Sequence, residues 1–395
     1  MSHVMNTYAR LPVTFSHGEG CRITDTDGKE YLDALSGIAV STLGHAHPRL
    51  VAAIAAQAGR MLHTSNLYRI AEQEQLADKL CALSGMAEVF FGNSGAEANE
   101  AAIKLVRKWA ASHGRAPDRR VIVTCKGSFH GRTLATVTAT AQPKYQEGYE
   151  PLPGGFRYVD FNDIGQLEAA MAGGDVAAVM LEPVQGEGGV MPAAPGYLQA
   201  VRALCDRFDA LLVLDEIQCG MGRTGALFAH WEDGVVPDIV TLAKALGGGF
   251  PIGALLAALK VAQAMQFGAH GTTFGGNPLA SAVARVALCR LGSAEIAANV
   301  AKQSQAIRDG VAAINRDLDL FTEVRGRGLM LGAVLKPEHA GKAGVIGDLA
   351  AEHGLLLLQA GPDVLRFVPA LNIDDADVAD GLLRLRKALA AFVGA

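Results

Sequence analysis

Through the middle of the chain, short apolar runs alternate with segments whose apolar residues recur every three or four positions. The runs are Val89–Phe91, Val121–Thr124, Ala177–Leu181, Leu211–Leu214, Ile239–Leu242 and Ile252–Ala257. Strands that are apolar at nearly every position are covered on both faces, so this alternation predicts a mostly parallel sheet between two layers of helices. The helix after the first run shows the clearest stripe, with Ala98, Ala101, Ala102, Leu105, Val106 and Trp109 on one face.

The two ends read differently. Cys21–Thr26 and Tyr31–Ala34 flank Asp27-Gly28 and predict a hairpin. Beyond about Ala284 a helical periodicity runs to Ile314, and strand candidates fall at Leu329–Leu335 and Val364–Val368. A last helix begins after Asp374 with Val378, Leu382, Leu385 and Leu389 on its apolar face. The expected architecture is α/β. Residues 46–284 form a large domain with the mostly parallel sheet, while 1–45 and 285–395 contribute to a smaller α+β domain. A chain of 395 residues, half of them hydrophobic, exceeds the roughly 250–300 at which one core usually splits. No internal repeat or long Pro/Ser linker separates the lobes, so they are expected to pack as one unit.

Charge and composition narrow the function. Thirty-five Lys+Arg against 40 Asp+Glu give a net charge of −5, with neither sign gathered into a block, which argues against a nucleic-acid partner. The six cysteines are scattered without a Cys-x-x-Cys, as in a reduced intracellular chain. Met1 to Pro12 lacks the basic and apolar regions of a signal peptide, and the purest apolar run, Ile252–Leu259, is too short to span a bilayer. A cytoplasmic protein without a membrane partner is expected.

Candidate chemistry begins at Ser94-Gly95-Ala96-Glu97, which follows a strand and opens a helix. Ser94 and Glu97 read as a capping box, and the helix N-terminus offers free N–H groups and a positive dipole end suited to a phosphate. Taken alone, this is equally an ordinary capped helix. The run Gly247-Gly248-Gly249-Phe250-Pro251-Ile252-Gly253 has the wrong last spacing for a dinucleotide fingerprint, and there is no Gly-Lys-Ser/Thr loop.

Two strands then deliver ionisable groups. Leu211–Leu214 ends in Asp215-Glu216, and Ile239–Leu242 is followed by Lys244, 29 residues beyond Asp215. In open α/β sheets ligands sit at the carboxyl ends of strands. A lysine partly desolvated there loses its proton and condenses with an aldehyde, and a buried carboxylate against a pyridine nitrogen keeps the ring protonated as an electron sink. Spacing by itself leaves Lys244 readable as a surface cation and Asp215 as a helix cap.

The surrounding residues carry a resemblance. Leu214-Asp215-Glu216-Ile217-Gln218 with Gly222-Arg223-Thr224-Gly225, then Pro237-Asp238-Ile239 and Ala243-Lys244-Ala245-Leu246-Gly247-Gly248-Gly249, resemble the class III aminotransferases. So do Gly44-His45-Ala46-His47-Pro48, Asn93 to Glu100, Phe129-His130-Gly131-Arg132 and Thr272 to Pro278. The resemblance implies a fold-type I enzyme that uses pyridoxal 5′-phosphate, and a homodimer with shared active sites. Carried over, Lys244 holds the cofactor as a Schiff base and Asp215 pairs with its ring nitrogen. Gly95 and Ala96 bind the phosphate, Phe129 stacks on the ring, Gln218 bonds the phenolic oxygen, Thr273 reaches the partner's phosphate, and Thr272 lies beside the substrate. Phe129 is also readable as core, and Thr272 and Thr273 as strand residues. His130 is expected to be structural. No metal is expected at His45 and His47, because no acidic third ligand stands near them in the sequence.

Two arginines bear on the substrates. Guanidinium forks grip carboxylates bidentately, and glutamate carries two. Arg366 is expected to take its α-carboxylate and Arg132 its side-chain carboxylate. An ω-amine donor presents only a distant carboxylate, for Arg132, and Glu187 would then neutralise Arg366. N2-acetyl-L-ornithine is the expected donor, with succinylornithine, ornithine, succinyldiaminopimelate and 4-aminobutyrate as alternatives. A racemase or aminomutase of the same fold and a non-catalytic binding protein are more distant ones.

Overall fold

The computed structural model describes residues 3–394. Its strands, in chain order, are β1 (Phe15–Glu19), β2 (Arg22–Asp25), β3 (Glu30–Asp33), β4 (Glu88–Gly92), β5 (Val121–Cys125), β6 (Phe156–Val159), β7 (Val176–Leu181), β8 (Val184–Gln185), β9 (Met191–Pro192), β10 (Leu211–Asp215), β11 (Ile239–Leu242), β12 (Gly253–Ala257), β13 (Phe321–Arg327), β14 (Met330–Leu335), β15 (Leu355–Leu356), β16 (Leu358–Gln359) and β17 (Val364–Phe367).

Seven of them form the main sheet in the order β4-β12-β11-β10-β7-β5-β6. All run parallel except β12, which is antiparallel to both β11 and β4. Strands β7, β10, β11 and β12 are buried along their whole length, because helices cover both faces. The strand period of two divides β10 between them. Leu211 and Val213 pack with Ala101, Leu105 and Trp109 of the helix Gly95–Ser112, while Leu212 and Leu214 pack with Leu198, Val201 and Cys205 of the helix Tyr197–Arg207. Every position of the predicted apolar stripe on Gly95–Ser112 is buried.

The expected hairpin is β2 against β3. It belongs to a second sheet, β1-β2-β3-β15, in which β15 pairs parallel with β3 and so ties a late segment to the start of the chain. A third sheet, β13-β14-β17-β16, packs under the helices Ala294–Leu318 and Ala343–Glu352, while the helix Asp375–Gly394 lies on β3 and β15 of the second sheet. Buried residues of Ala294–Leu318 and Asp375–Gly394 include Val300, Ile307, Val378, Leu385 and Leu389.

Several elements differ from expectation. The periodicity read as continuous to Ile314 is two helices, Pro278–Leu291 and Ala294–Leu318, broken at Gly292-Ser293, with the Ser293 hydroxyl capping Ile296 N–H at 3.3 Å. The expected lobe boundary at 284/285 falls inside the first of these. Strand β6, at the sheet edge, escapes the apolar-run criterion because Arg157 and Tyr158 stand in it. An acidic residue does lie against His45: Asp33 N–H bonds to the Cys21 carbonyl and His45 bridges to Gly20, which brings Asp33 Oδ2 to 2.7 Å from His45 Nε2, a proximity invisible at twelve positions' separation. Among the described residues no group of three His, Cys, Asp or Glu side chains is disposed to hold a metal, and no helix is long and apolar enough to cross a membrane.

Candidate active site

The carboxyl ends of β4, β5, β7, β10 and β11 converge on one cavity of about 400 Å³. Into its wall they deliver, in turn, Ser94-Gly95-Ala96, Phe129-His130, Glu182, Asp215 and Ala243-Lys244. The antiparallel β12 begins at the same place, and a Cβ on Gly253 would stand 2.2 Å from the Ser94 carbonyl oxygen. Only glycine lets the strand pass so close to the start of the helix.

At that helix start the Ser94 hydroxyl accepts from Glu97 N–H at 3.2 Å. The Glu97 carboxylate does not return to Ser94. It accepts from the backbone N–H and side-chain amide of Asn93, at 2.7 and 2.8 Å. The expected capping box is therefore half formed, because the turn at Gly92 brings Asn93 within reach first. The N–H groups of Gly95 and Ala96 belong to the first turn and have no intrahelical carbonyl to bond. They border the cavity and form an anion cradle.

Asp215, the last residue of β10, is buried and rigidly held. Its Oδ2 accepts from Asn99 Nδ2 at 2.7 Å and lies 2.8 Å from His130 Nδ1, while its Oδ1 accepts from Ile217 N–H at 3.0 Å. Asn99 is in turn fixed by Thr241, whose hydroxyl donates to Asn99 Oδ1 at 2.7 Å. Burial works against a charged His130, but the bond to Asp215 outweighs it and the imidazole pKa is raised. Glu182 completes the floor, accepting from Phe129 N–H at 2.9 Å and Gly186 N–H at 3.3 Å. Burial raises its carboxyl to about 7, with His130 opposing and Asp215 adding.

Lys244 follows β11 with a backbone φ of +40°, a region that non-glycine residues seldom occupy and that accumulates at functional sites. Its amine is buried, and desolvation brings its pKa down to about 8 against the pull of Glu187, with Arg366 assisting the fall. A substantial neutral fraction at ordinary pH makes it a nucleophile.

Arg366 is wholly buried. Its Nη1 donates to Glu187 at 2.6 Å and to the Gln218 amide oxygen at 3.0 Å, while Nε and Nη2 have no partner among the described residues. A guanidinium half satisfied in a buried place is fitted to a carboxylate that arrives with a ligand. Burial would push the Glu187 carboxyl up, but Arg366 overcomes this and holds it below the usual range.

Arg132 stands exposed at the cavity mouth. It lies over the rings of Tyr145 and Phe129, at 4.1 and 5.5 Å from their centroids. Thr272 and Thr273 do not line the cavity of their own chain. Thr272 Oγ1 accepts from Gly275 N–H at 3.1 Å, and Thr273 is exposed. Asn99, Tyr145 and Glu182 were not singled out from the sequence. Glu182 stands one residue past a fully apolar strand, the same signal that exposed Asp215, but Asn99 sits mid-helix with no local mark.

These groups match one cofactor chemistry. The cradle suits a phosphate, the lowered amine of Lys244 suits an aldehyde, and the triply bonded carboxylate of Asp215 suits a protonated ring nitrogen. The fold and the site together define an enzyme that works through pyridoxal phosphate. The model of the class III aminotransferase family matches residues 4–389, and the chain belongs to that family. It is 71% identical over 392 residues to the acetylornithine aminotransferase of Xanthomonas axonopodis pv. citri (strain 306), covering 99% of this chain and 96% of that one. It is 46% identical over 387 residues to the succinylornithine transaminase of Yersinia enterocolitica serotype O:8 / biotype 1B, covering 97% and 93%. The crystal structure of N-acetylornithine aminotransferase from Stenotrophomonas maltophilia K279a superposes with a TM-score of 0.89 at 60% identity, over 98% of both chains.

Proposed function

We propose that the protein moves the δ-amino group of N2-acetyl-L-ornithine to 2-oxoglutarate, giving N-acetyl-L-glutamate 5-semialdehyde and L-glutamate, a step of arginine biosynthesis in the cytoplasm. The half-used guanidinium of Arg366, facing Glu187 and next to the cavity, carries this reading, because one pocket must serve a substrate with two carboxylates and another with one.

Pyridoxal phosphate supplies an aldehyde that exchanges amines and a protonated ring that takes up the electrons left when a C–H bond breaks. The residues do the remainder. Gly95 and Ala96 N–H groups would hold the phosphate, with Thr273 of the partner subunit joining them. Phe129 would cover the ring and Asp215 would keep its nitrogen protonated. The amide nitrogen of Gln218, whose oxygen is engaged by Arg366, would donate to the phenolic oxygen. Lys244 Nζ would take the proton from the amine-bearing carbon and carry it, a positioned transfer that contributes on the order of 10²–10⁴-fold. Arg132 grips the distant carboxylate of either substrate, with Thr272 beside it.

The shared site requires two copies of the chain. Leu67, Phe267 and Phe274 are exposed apolar side chains on the segments that flank Thr273 or pack against them, as expected of a surface covered by the partner. Steady-state comparison of donors with 2-oxoglutarate tests the substrate. kcat/KM should be highest for acetylornithine, with succinylornithine next and ornithine, 4-aminobutyrate and succinyldiaminopimelate at least about tenfold lower, the scale on which pocket shape discriminates. Any other donor ranking first overturns the assignment.

Glu187→Gln tests how the site alternates. Removing one partner of a buried ion pair leaves the other charge uncompensated, at a cost of about 3–5 kcal/mol, unless the ligand supplies an anion. Single-turnover rates should therefore fall roughly 10²-fold with acetylornithine and by less than about threefold with glutamate. Equal losses in both half-reactions would mean that Glu187 and Arg366 form a fixed structural bridge.

A further inference from the structure

We propose that Lys79 and Cys289 form an oxidant-dependent covalent bridge, Nζ–O–Sγ, which staples the helix Ala71–Ser84 to the helix Pro278–Leu291. Lys79 Nζ lies 2.6 Å from Cys289 Sγ. The amine is as close to the sulfur as Lys260 is to Asp238 and Lys302 to Asp375, both at 2.6 Å. One intervening oxygen atom would span that separation with two single bonds. Lys79 is half-buried where the two helices meet, and its contact with the sulfur faces solvent.

Chemistry and access agree with the geometry. Of the six cysteines, all among the described residues, Cys289 alone is exposed. Burial pushes the Cys21, Cys125 and Cys205 thiols up to about 12 and the Cys219 thiol well above its ordinary value, which leaves them inert to peroxide. Lys79 and Cys289 both line an open groove of about 920 Å³ with Arg49, Arg60 and Arg285, roomy enough for peroxide and for thiol reductants. Neither residue borders the cofactor cavity.

The step balances with hydrogen peroxide as oxidant. One equivalent converts the Cys289 thiol to a sulfenic acid and a second converts the Lys79 amine to a hydroxylamine, each releasing water. Attack of the hydroxylamine oxygen on the sulfenic sulfur forms the O–S bond and expels the sulfenic hydroxyl as water. Four thiols reverse it, returning thiol, amine and one water with two disulfides formed. The helix Pro278–Leu291 also packs against the turn Lys244–Gly247 that carries the reactive lysine. The bridge therefore stiffens the support beneath that lysine without entering the site.

Peptide mass mapping of the holoenzyme after titration with hydrogen peroxide tests the bridge. The expected product is a crosslinked pair of peptides containing Lys79 and Cys289, heavier than their sum by one oxygen less two hydrogens, and released by excess dithiothreitol. Cys289→Ser and Lys79→Arg should each abolish it while retaining the cofactor absorbance and melting profile of the reduced enzyme. The oxidised wild type alone should melt a few degrees higher, since a link across 210 residues restrains the unfolded chain. Progression of Cys289 to sulfinic acid with Lys79 unmodified overturns the proposal, as does a direct S–N bond lacking the oxygen.

Discussion

Replacing Lys244 with alanine is expected to lower kcat by at least about 10⁴-fold, the upper end of what positioned proton transfer contributes, while leaving the fold intact. The side chain is half-buried in the cavity wall, and its amine has no structural partner among the described residues that alanine would orphan, because Glu187 already pairs with Arg366. Borohydride treatment should leave a pyridoxyl group on position 244 of the wild-type protein and none on the variant. The lowered pKa of about 8 adds a pH signature. Only the neutral amine attacks an aldehyde, so the rate at which apoprotein takes up cofactor should climb nearly tenfold per pH unit below about 8 and level off above it. Retention of a pyridoxyl adduct elsewhere, with turnover preserved in Lys244→Ala, would remove the basis of the whole assignment.

Asp215→Asn is expected to cost about 10³-fold in kcat with a much smaller effect on cofactor affinity. The carboxylate accepts from Asn99, from the Ile217 N–H and from His130. An amide of the same shape turns one donor toward that network and removes the anion proposed to hold the ring nitrogen protonated. Loss of one preorganised electrostatic partner in a dry site typically costs 10²–10³-fold, and here the electron sink itself is weakened as well. Reconstitution with a cofactor analogue methylated at the ring nitrogen, which carries its positive charge permanently, should recover much of the rate. A variant within about tenfold of wild type would show that the carboxylate serves packing alone.

The Lys79–Cys289 bridge and the Glu187–Arg366 alternation act on different sides of the same support. One stiffens the helix beneath Lys244, and the other sets the charge that faces it. Peroxide should therefore leave the ratio of the two half-reactions unchanged even where it shifts the melting temperature, and that ratio separates the two devices experimentally.

The sheet and its reactive ends were legible along the chain. Strands buried on both faces must be apolar nearly throughout, so β7, β10, β11 and β12 announce themselves as runs, and a charge just past such a run is placed at the strand's carboxyl end whatever else surrounds it. Asp215 and Lys244 were found in that way, and the stripe of Gly95–Ser112 followed from a period of 3.6. Edge strand β6 escaped that signal and the box at Ser94 formed only in half for the complementary reason: an edge tolerates Arg157, and the turn geometry at Gly92 decides which N–H group Glu97 reaches.

What tertiary structure alone decided is which distant residues share a charge. Asn99 and His130 come from different elements to fix Asp215, Asp33 meets His45 beside the Gly20-Cys21 turn, and Arg366 is buried against Glu187 and Gln218 with half its fork unsatisfied. A helix or strand period fixes which face a side chain occupies, and so the sequence determines each element and its reactive end. It does not fix which elements stack, and the strength of an ion pair or the pKa of a lysine depends on just that: the distance to the opposite charge and the water excluded between them.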